Sequence, residues 1–163
     1  MQRRATFIGA IVVVVSIFAA GWFGAESARG ATVDLTGRDY AEIERLFGLY
    51  NQGSDFRDAE MFVSAFSEDG VIIRGNGRVQ GQAALRAERA ERYQGQTGDN
   101  KRRHLNSSFV ITATSEGAKG RAYWILNDVS GSEIKTVASG YYDDIYVKTA
   151  NGWKIKSRTL TAD

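Results

Sequence analysis

The sequence predicts an α+β domain whose helices cover one face of an antiparallel sheet. Two observations predict it: helical periodicity in residues 36–93, and a C-terminal hairpin rich in aromatic and β-branched residues. The hairpin reads SGYYDDIYVKTANGWKIKSRT over residues 139–159, two alternating runs joined at Ala150-Asn151-Gly152. Asn-Gly between such runs marks a tight reversal, because both residues tolerate positive φ. A three-residue loop would pair Thr149 with Trp153, Val147 with Ile155 and Ile145 with Ser157. The same register sets Asp144 opposite Arg158 on the other face, read as a structural ion pair, worth little if exposed, in preference to Asp144 as a base on the pocket side.

The remaining elements follow in order. Thr36 can cap a helix, with Asp39 three residues on as an acidic partner. Tyr40, Ile43, Leu46, Phe47 and Tyr50 then recur at helical spacing. Asn51-Gln52-Gly53-Ser54-Asp55 is expected to break that helix. Asp58 can cap a second one carrying Phe62, Val63 and Phe66 on one face, ended by residues 67–70. Residues 71–74 read as a strand, Gly75-Asn76-Gly77 as a turn and residues 78–80 as a short return. Residues 82–93 hold strong helix formers, among them Ala83, Ala84, Leu85, Ala87 and Ala90. Strands are expected over 104–114, 119–128, 136–149 and 153–160.

Residues 1–30 read as a targeting segment. Arg3 and Arg4 precede an apolar run over residues 7–25, and Ala28-Arg29-Gly30 supplies small residues where a signal peptidase reads. The run is also long enough to anchor the chain in a membrane if retained. The expectation is a domain outside the cytoplasm, residues 31–163, released from or tethered by that segment. Without Arg3, Arg4, Arg29 and Glu26, the 21 basic and 19 acidic side chains become 18 of each. A balanced chain lacks the clustered surplus a nucleic-acid partner requires. The absence of cysteine rules out a disulfide framework and, with one histidine, argues against a transition-metal site.

Helix, break, Asp55, second helix, Phe66 and Asp69-Gly70 are followed by Arg103-His104-Leu105-Asn106. Gly140-x-Tyr142-x-Asp144 and Gly152-Trp153-Lys154-Ile155 then lead to Arg158. In this order and spacing, over residues 35–160, the chain resembles the SnoaL-like branch of the nuclear transport factor 2-like superfamily. The resemblance implies a curved sheet wrapped around a long helix, a cystatin-like roll forming a cone with a small-molecule pocket. Family members include polyketide cyclases, dehydratases, epoxide hydrolases and steroid isomerases, and also proteins with no demonstrated chemistry.

The resemblance implies that His104 acts on bound substrate together with Tyr50, as a histidine and a first-helix tyrosine do in scytalone-dehydratase-like members. Those members carry an aspartate where this chain has Asn51, and a second histidine where it has Ala122-Tyr123-Trp124. His104 is also the only histidine, the one side chain whose unshifted titration falls near neutrality. Lys101, Arg102 and Arg103 beside it would disfavour an imidazolium. Phe62, Phe66, Asn106, Tyr123 and Tyr142 are the expected pocket wall, largely apolar and suited to a ring-containing ligand. The chemistry expected is cofactor-free proton transfer: isomerisation, cyclisation or dehydration. The other class is an association domain with a vestigial pocket. Long strands that can bury only one face on the helices predict a homodimer through the outer face. Gly75-Asn76-Gly77 lacks the context of a dinucleotide fingerprint, and no Gly-x-Ser-x-Gly elbow is present.

Overall fold

The structure is a computed structural model, and it describes residues 34–163. The expected leader over residues 1–30 lies outside the described residues. Three helices precede most of a six-stranded sheet: α1 (Gly37–Asp55), α2 (Ala59–Ser64), β1 (Phe66–Arg74), β2 (Gly77–Gln80), α3 (Gln82–Tyr93), β3 (Arg102–Thr114), β4 (Gly117–Asp128), β5 (Lys135–Thr149) and β6 (Gly152–Ala162). The strand order is β2-β1-β6-β5-β4-β3. Every neighbouring pair is antiparallel except β1 and β6, which run parallel, so the sheet is mixed rather than wholly antiparallel.

The start of α1 is a complete capping box. The Asp39 amide donates to the Thr36 hydroxyl, and the Thr36 amide donates back to the Asp39 carboxylate at 2.9 Å. The other Asp39 oxygen accepts from Trp153 Nε1 at 2.8 Å and Lys148 Nζ at 2.6 Å, so the cap also fastens the helix to the terminal hairpin.

Residues 51–55 do not break this helix. They complete its last turns, because Gly53 serves a packing role: a Cβ there would lie 2.4 Å from the Phe62 amide nitrogen. The missing side chain lets α2 lie directly on α1. Phe66 likewise belongs to β1 and not to α2, which ends at Ser64.

The hairpin turns on two residues, Ala150 and Asn151, with Thr149 paired to Gly152 and Lys148 to Trp153. Gly152 takes φ 86°, the left-handed conformation that closes such a turn. Tyr146 pairs with Ile155, and one extra residue, Lys156, restores Ile145 opposite Ser157 and Asp144 opposite Arg158. The two-residue turn replaces the expected Thr149–Trp153 and Val147–Ile155 pairs, the bulge restores the expected Ile145–Ser157 and Asp144–Arg158 pairs, and the expected faces are reversed. Asp144 and Arg158 point into the core, while Ile145 is exposed.

A second bulge on β3, at Ser108 with φ 55°, turns Phe109 inward against Phe47 at a ring separation of 4.9 Å. Phe47, Tyr50, Phe62, Phe66, Tyr142, Tyr146 and Trp153 dominate the core between helices and sheet.

Candidate functional site

The inner face of the sheet presents two rows of side chains toward one end of the helical layer. Arg74 stands beside Leu160, and Leu160 beside Tyr142. Further along, Ala138 pairs with Leu126 and Leu126 with His104. Opposite these rows lie Tyr50, Ser54 and Arg57 from α1 and the turn after it, and Arg89, Arg92 and Tyr93 from α3. Gln96, Asn100 and Arg102 close the side. Together they enclose a cavity of about 560 Å³ that also includes Trp124.

His104 is held by Asp55. The His104 amide donates to Asp55 Oδ2 at 2.9 Å, and its Nδ1 lies 2.6 Å from Asp55 Oδ1. A carboxylate only accepts, so this contact requires the ring proton on Nδ1, and in the neutral imidazole the lone pair then sits on Nε2. The Asp55 side chain is 4% exposed and that of His104 18%. The imidazole is therefore fixed from behind and open in front, the arrangement a general base needs. Asp55 is in place because the last turn of α1 stays helical, and Asn100 reinforces it by donating its amide to the Asp55 carbonyl.

The basic residues beside His104 are engaged elsewhere. Lys101 and Arg103 bind Asp99, and Arg102 lies 3.3 Å from Asp128. Arg103 in particular holds the Asp99 carboxyl well below the usual carboxylate range, with Lys101 assisting. The nearest charged partner of His104 is thus an anion, opposite to what the local sequence implied.

Beneath the cavity, Arg158 is wholly buried and its guanidinium lies over the rings of Tyr142, Tyr50 and Phe47 at 4.1, 4.4 and 4.5 Å. It forms a two-pronged pair with Asp144, which also accepts from the Tyr146 hydroxyl at 2.8 Å. Burial drives the Tyr142 and Tyr146 hydroxyls well above the ordinary phenol range, so both remain protonated donors. At Arg74, burial works to lower the pKa, but the Tyr50 phenol, the Glu88 carboxylate and the Tyr142 phenol outweigh it and leave it raised.

Of the residues the sequence singled out, Tyr50, His104 and Tyr142 come together on the cavity wall. Phe62 and Phe66 are fully buried behind it, packed on Tyr50 at ring separations of 4.7 and 6.1 Å. Asn106 faces Asn51 and bonds to its side-chain amide, away from the cavity. Tyr123 corrects the expectation outright: strand alternation puts it on the outer face, 55% exposed, while Trp124 faces inward. The wall is also far more cationic than expected. Asp55 is not legible as a site residue because its partner His104 lies on another element, and the arginines because they reach the wall from several elements; the one available signal is the run of arginines along α3.

A second hollow of about 450 Å³ lies on the outer face around Val110, Ile145 and the Arg121–Asp143 pair. It holds no comparably oriented base.

A helical layer on the inner face of a mixed, mostly antiparallel sheet, with a polar-lined cavity at one end, defines an α+β pocket protein of cystatin-like fold. The chain belongs to the SnoaL-like domain family, whose profile matches residues 36–159. Solved structures share the fold. A Nostoc punctiforme protein of unknown function with a cystatin-like fold superposes with a TM-score of 0.70 at 22% identity, covering 80% of this chain and 95% of its own. An NTF2-like protein from Novosphingobium aromaticivorans gives 0.65 at 22% identity over 77% and 82%. A Catenulispora acidiphila protein in complex with S-DNPA gives 0.67 at 20% identity over 78% and 96%. Among curated proteins none matches the chain.

Proposed function

We propose that this SnoaL-like domain binds a small ring-containing molecule in the cavity and moves a proton on it without a cofactor. His104 is the acid or base, Asp55 its positioning residue, and Tyr50 a hydrogen-bond donor toward an oxygen that gains charge. The observation carrying the proposal is the Nδ1 contact of His104 with buried Asp55, on the wall of a cavity large enough for such a ligand.

The missing second histidine and the asparagine at position 51 remove groups used by dehydratases. The reading therefore favours proton abstraction beside a carbonyl, as in an isomerisation or cyclisation. The test is deuterium exchange at the α-carbon of 2-tetralone and of cyclohexanone, followed by NMR. The native protein should accelerate exchange of at least one. His104→Gln should reduce that acceleration by about two to four orders of magnitude, the usual size of a general-base contribution, with the fold retained. Equal exchange by both proteins removes the catalytic reading.

The extracytoplasmic location belongs to the same proposal and is supported by the sequence of residues 1–30. The intact mass of exported protein tests it, and a full-length cytoplasmic form would refute it.

A further inference from the structure

We infer that the cavity is built for an anionic ligand, a carboxylate carried on a ring skeleton. This rests on the pocket reading above and adds to it the charge and class of the molecule.

Five guanidiniums reach the cavity wall from four places in the fold: Arg57 after α1, Arg74 at the end of β1, Arg89 and Arg92 on α3, and Arg102 at the start of β3. Among the described residues no carboxylate lines the cavity with them. Glu88 serves three of the five. It accepts from Arg89 at 2.6 and 2.8 Å, from Arg92 at 2.9 Å and from Arg74 at 3.2 Å. Arg102 has Asp128, while Arg57 donates to the Gly98 carbonyl. Five cations thus meet two carboxylates, with Asp55 committed to the imidazole.

Partial burial makes an under-compensated cluster of this kind expensive, and an arriving anion relieves the cost. The planar fork of arginine matches a carboxylate with two parallel hydrogen bonds, which favours this oxyanion geometry over a diffuse charge.

A second observation points the same way. The Tyr142 hydroxyl and Trp124 Nε1 are buried without a hydrogen-bond partner among the described residues, and both side chains belong to the cavity wall. Indole nitrogen can only donate, and so can guanidinium. The wall therefore offers donors in excess of acceptors, and the complement is a ligand rich in acceptor oxygens. The ring skeleton is implied by what lies between the donors: Trp124, Leu126, Ala138 and Leu160 form an apolar strip on the sheet side.

The experiment is calorimetric titration of residues 31–163 with three probes of one shape: 2-naphthoate, 2-naphthylmethanol and 2-naphthylmethylammonium. Naphthoate should bind at least tenfold more tightly than the alcohol, and the ammonium probe least tightly. Arg74→Gln should cut that preference by about tenfold or more, the scale of one charged hydrogen bond. Arg92→Gln removes a half-exposed side chain and gives a second test should the Arg74 variant fold poorly. Trp124 emission should change on binding and the response should vanish in Trp124→Phe, placing the probe in the cavity. Equal affinity for acid and alcohol, or an acid preference untouched in both arginine variants, would overturn the anionic inference and leave the pocket reading intact. Absence of binding by all three probes would overturn both.

Discussion

Arg158 and Asp144 face each other across β6 and β5 as a two-pronged ion pair, Nε to Oδ1 at 2.9 Å and Nη2 to Oδ2 at 2.6 Å, inside the core. Neither side chain is more than 1% exposed. Three aromatic rings surround the guanidinium, so the cation is matched by a carboxylate in front and by ring faces around it. Removing one partner leaves the other charged and desolvated. Arg158→Ala or Asp144→Ala should therefore cost about 3–5 kcal/mol, measured by denaturant unfolding. The double replacement Asp144→Leu with Arg158→Met should recover much of that loss. A cost below about 1 kcal/mol for either single variant would contradict the assignment.

Asp55→Asn should act through His104 and not through stability alone. Asparagine can still accept the His104 amide with its oxygen, but its amide nitrogen then faces Nδ1 as a donor. That inverts the imidazole tautomer and turns an N–H toward the cavity. The α-proton exchange rate should fall nearly as far as in His104→Gln, with an altered pH–rate profile. Asp55→Glu is the conservative control and should recover part of the rate. An unchanged profile in the asparagine variant would remove Asp55 as a positioning residue.

The cap of α1 predicts an acid-labile contribution to stability. The Lys148 ammonium, then Thr36 and Trp153, hold the Asp39 carboxyl well below the usual carboxylate range. A group depressed in the folded state favours folding above its unfolded pKa, roughly 3.9 for aspartate. It loses that contribution as pH falls toward the folded value. Asp39→Asn should lower the melting temperature at pH 7 and flatten its decline between about pH 4 and pH 2. Parallel melting curves for the two proteins over that interval would be inconsistent with this role. Thr36→Ala removes the hydroxyl arm of the box and should cost about 1 kcal/mol at pH 7.

We propose that the outer face of the sheet pairs with a second copy of the chain. Leu105, Val110, Tyr123 and Ile145 are each more than half exposed on it. The Arg121–Asp143 pair on the same face gives any twofold partner one cation and one anion to meet. Sedimentation at tens of micromolar, a rough working range for a standard interface, should show a dimer, and Val110→Lys with Ile145→Lys should yield a monomer. A monomeric native protein would defeat the proposal.

How much was legible in the sequence depended on how local each relationship is. Thr36 and Asp39 are three residues apart, and their box could be seen. Their partners Lys148 and Trp153 lie more than a hundred positions away and could not. The hairpin was located correctly, but a single unpaired residue changed which faces its side chains occupy. Helix α1 ran longer than expected because Gly53 answers to Phe62, a contact that propensity does not register. His104 was singled out by being the only histidine. Its partner Asp55, 49 residues earlier, was hidden in a stretch that reads as a break. The cavity's arginines come from several elements, so no window of sequence displays them as a group.

The bulge at Lys156 lets Ile155 and Arg158, three residues apart on one strand, both face the core. Lys156 itself reaches out to Asp69 on the surface, so many substitutions there should be absorbed at little cost. Flattening the bulge at unchanged chain length would bring Lys156 into the ladder, turn Ser157 inward and Arg158 to solvent, and leave Asp144 without its cation. Deleting Lys156 would instead restore regular alternation with Ser157 still opposite Ile145 and Arg158 still opposite Asp144. In a lineage of such chains, position 156 could vary in chemistry or be lost while the buried pair stays in place.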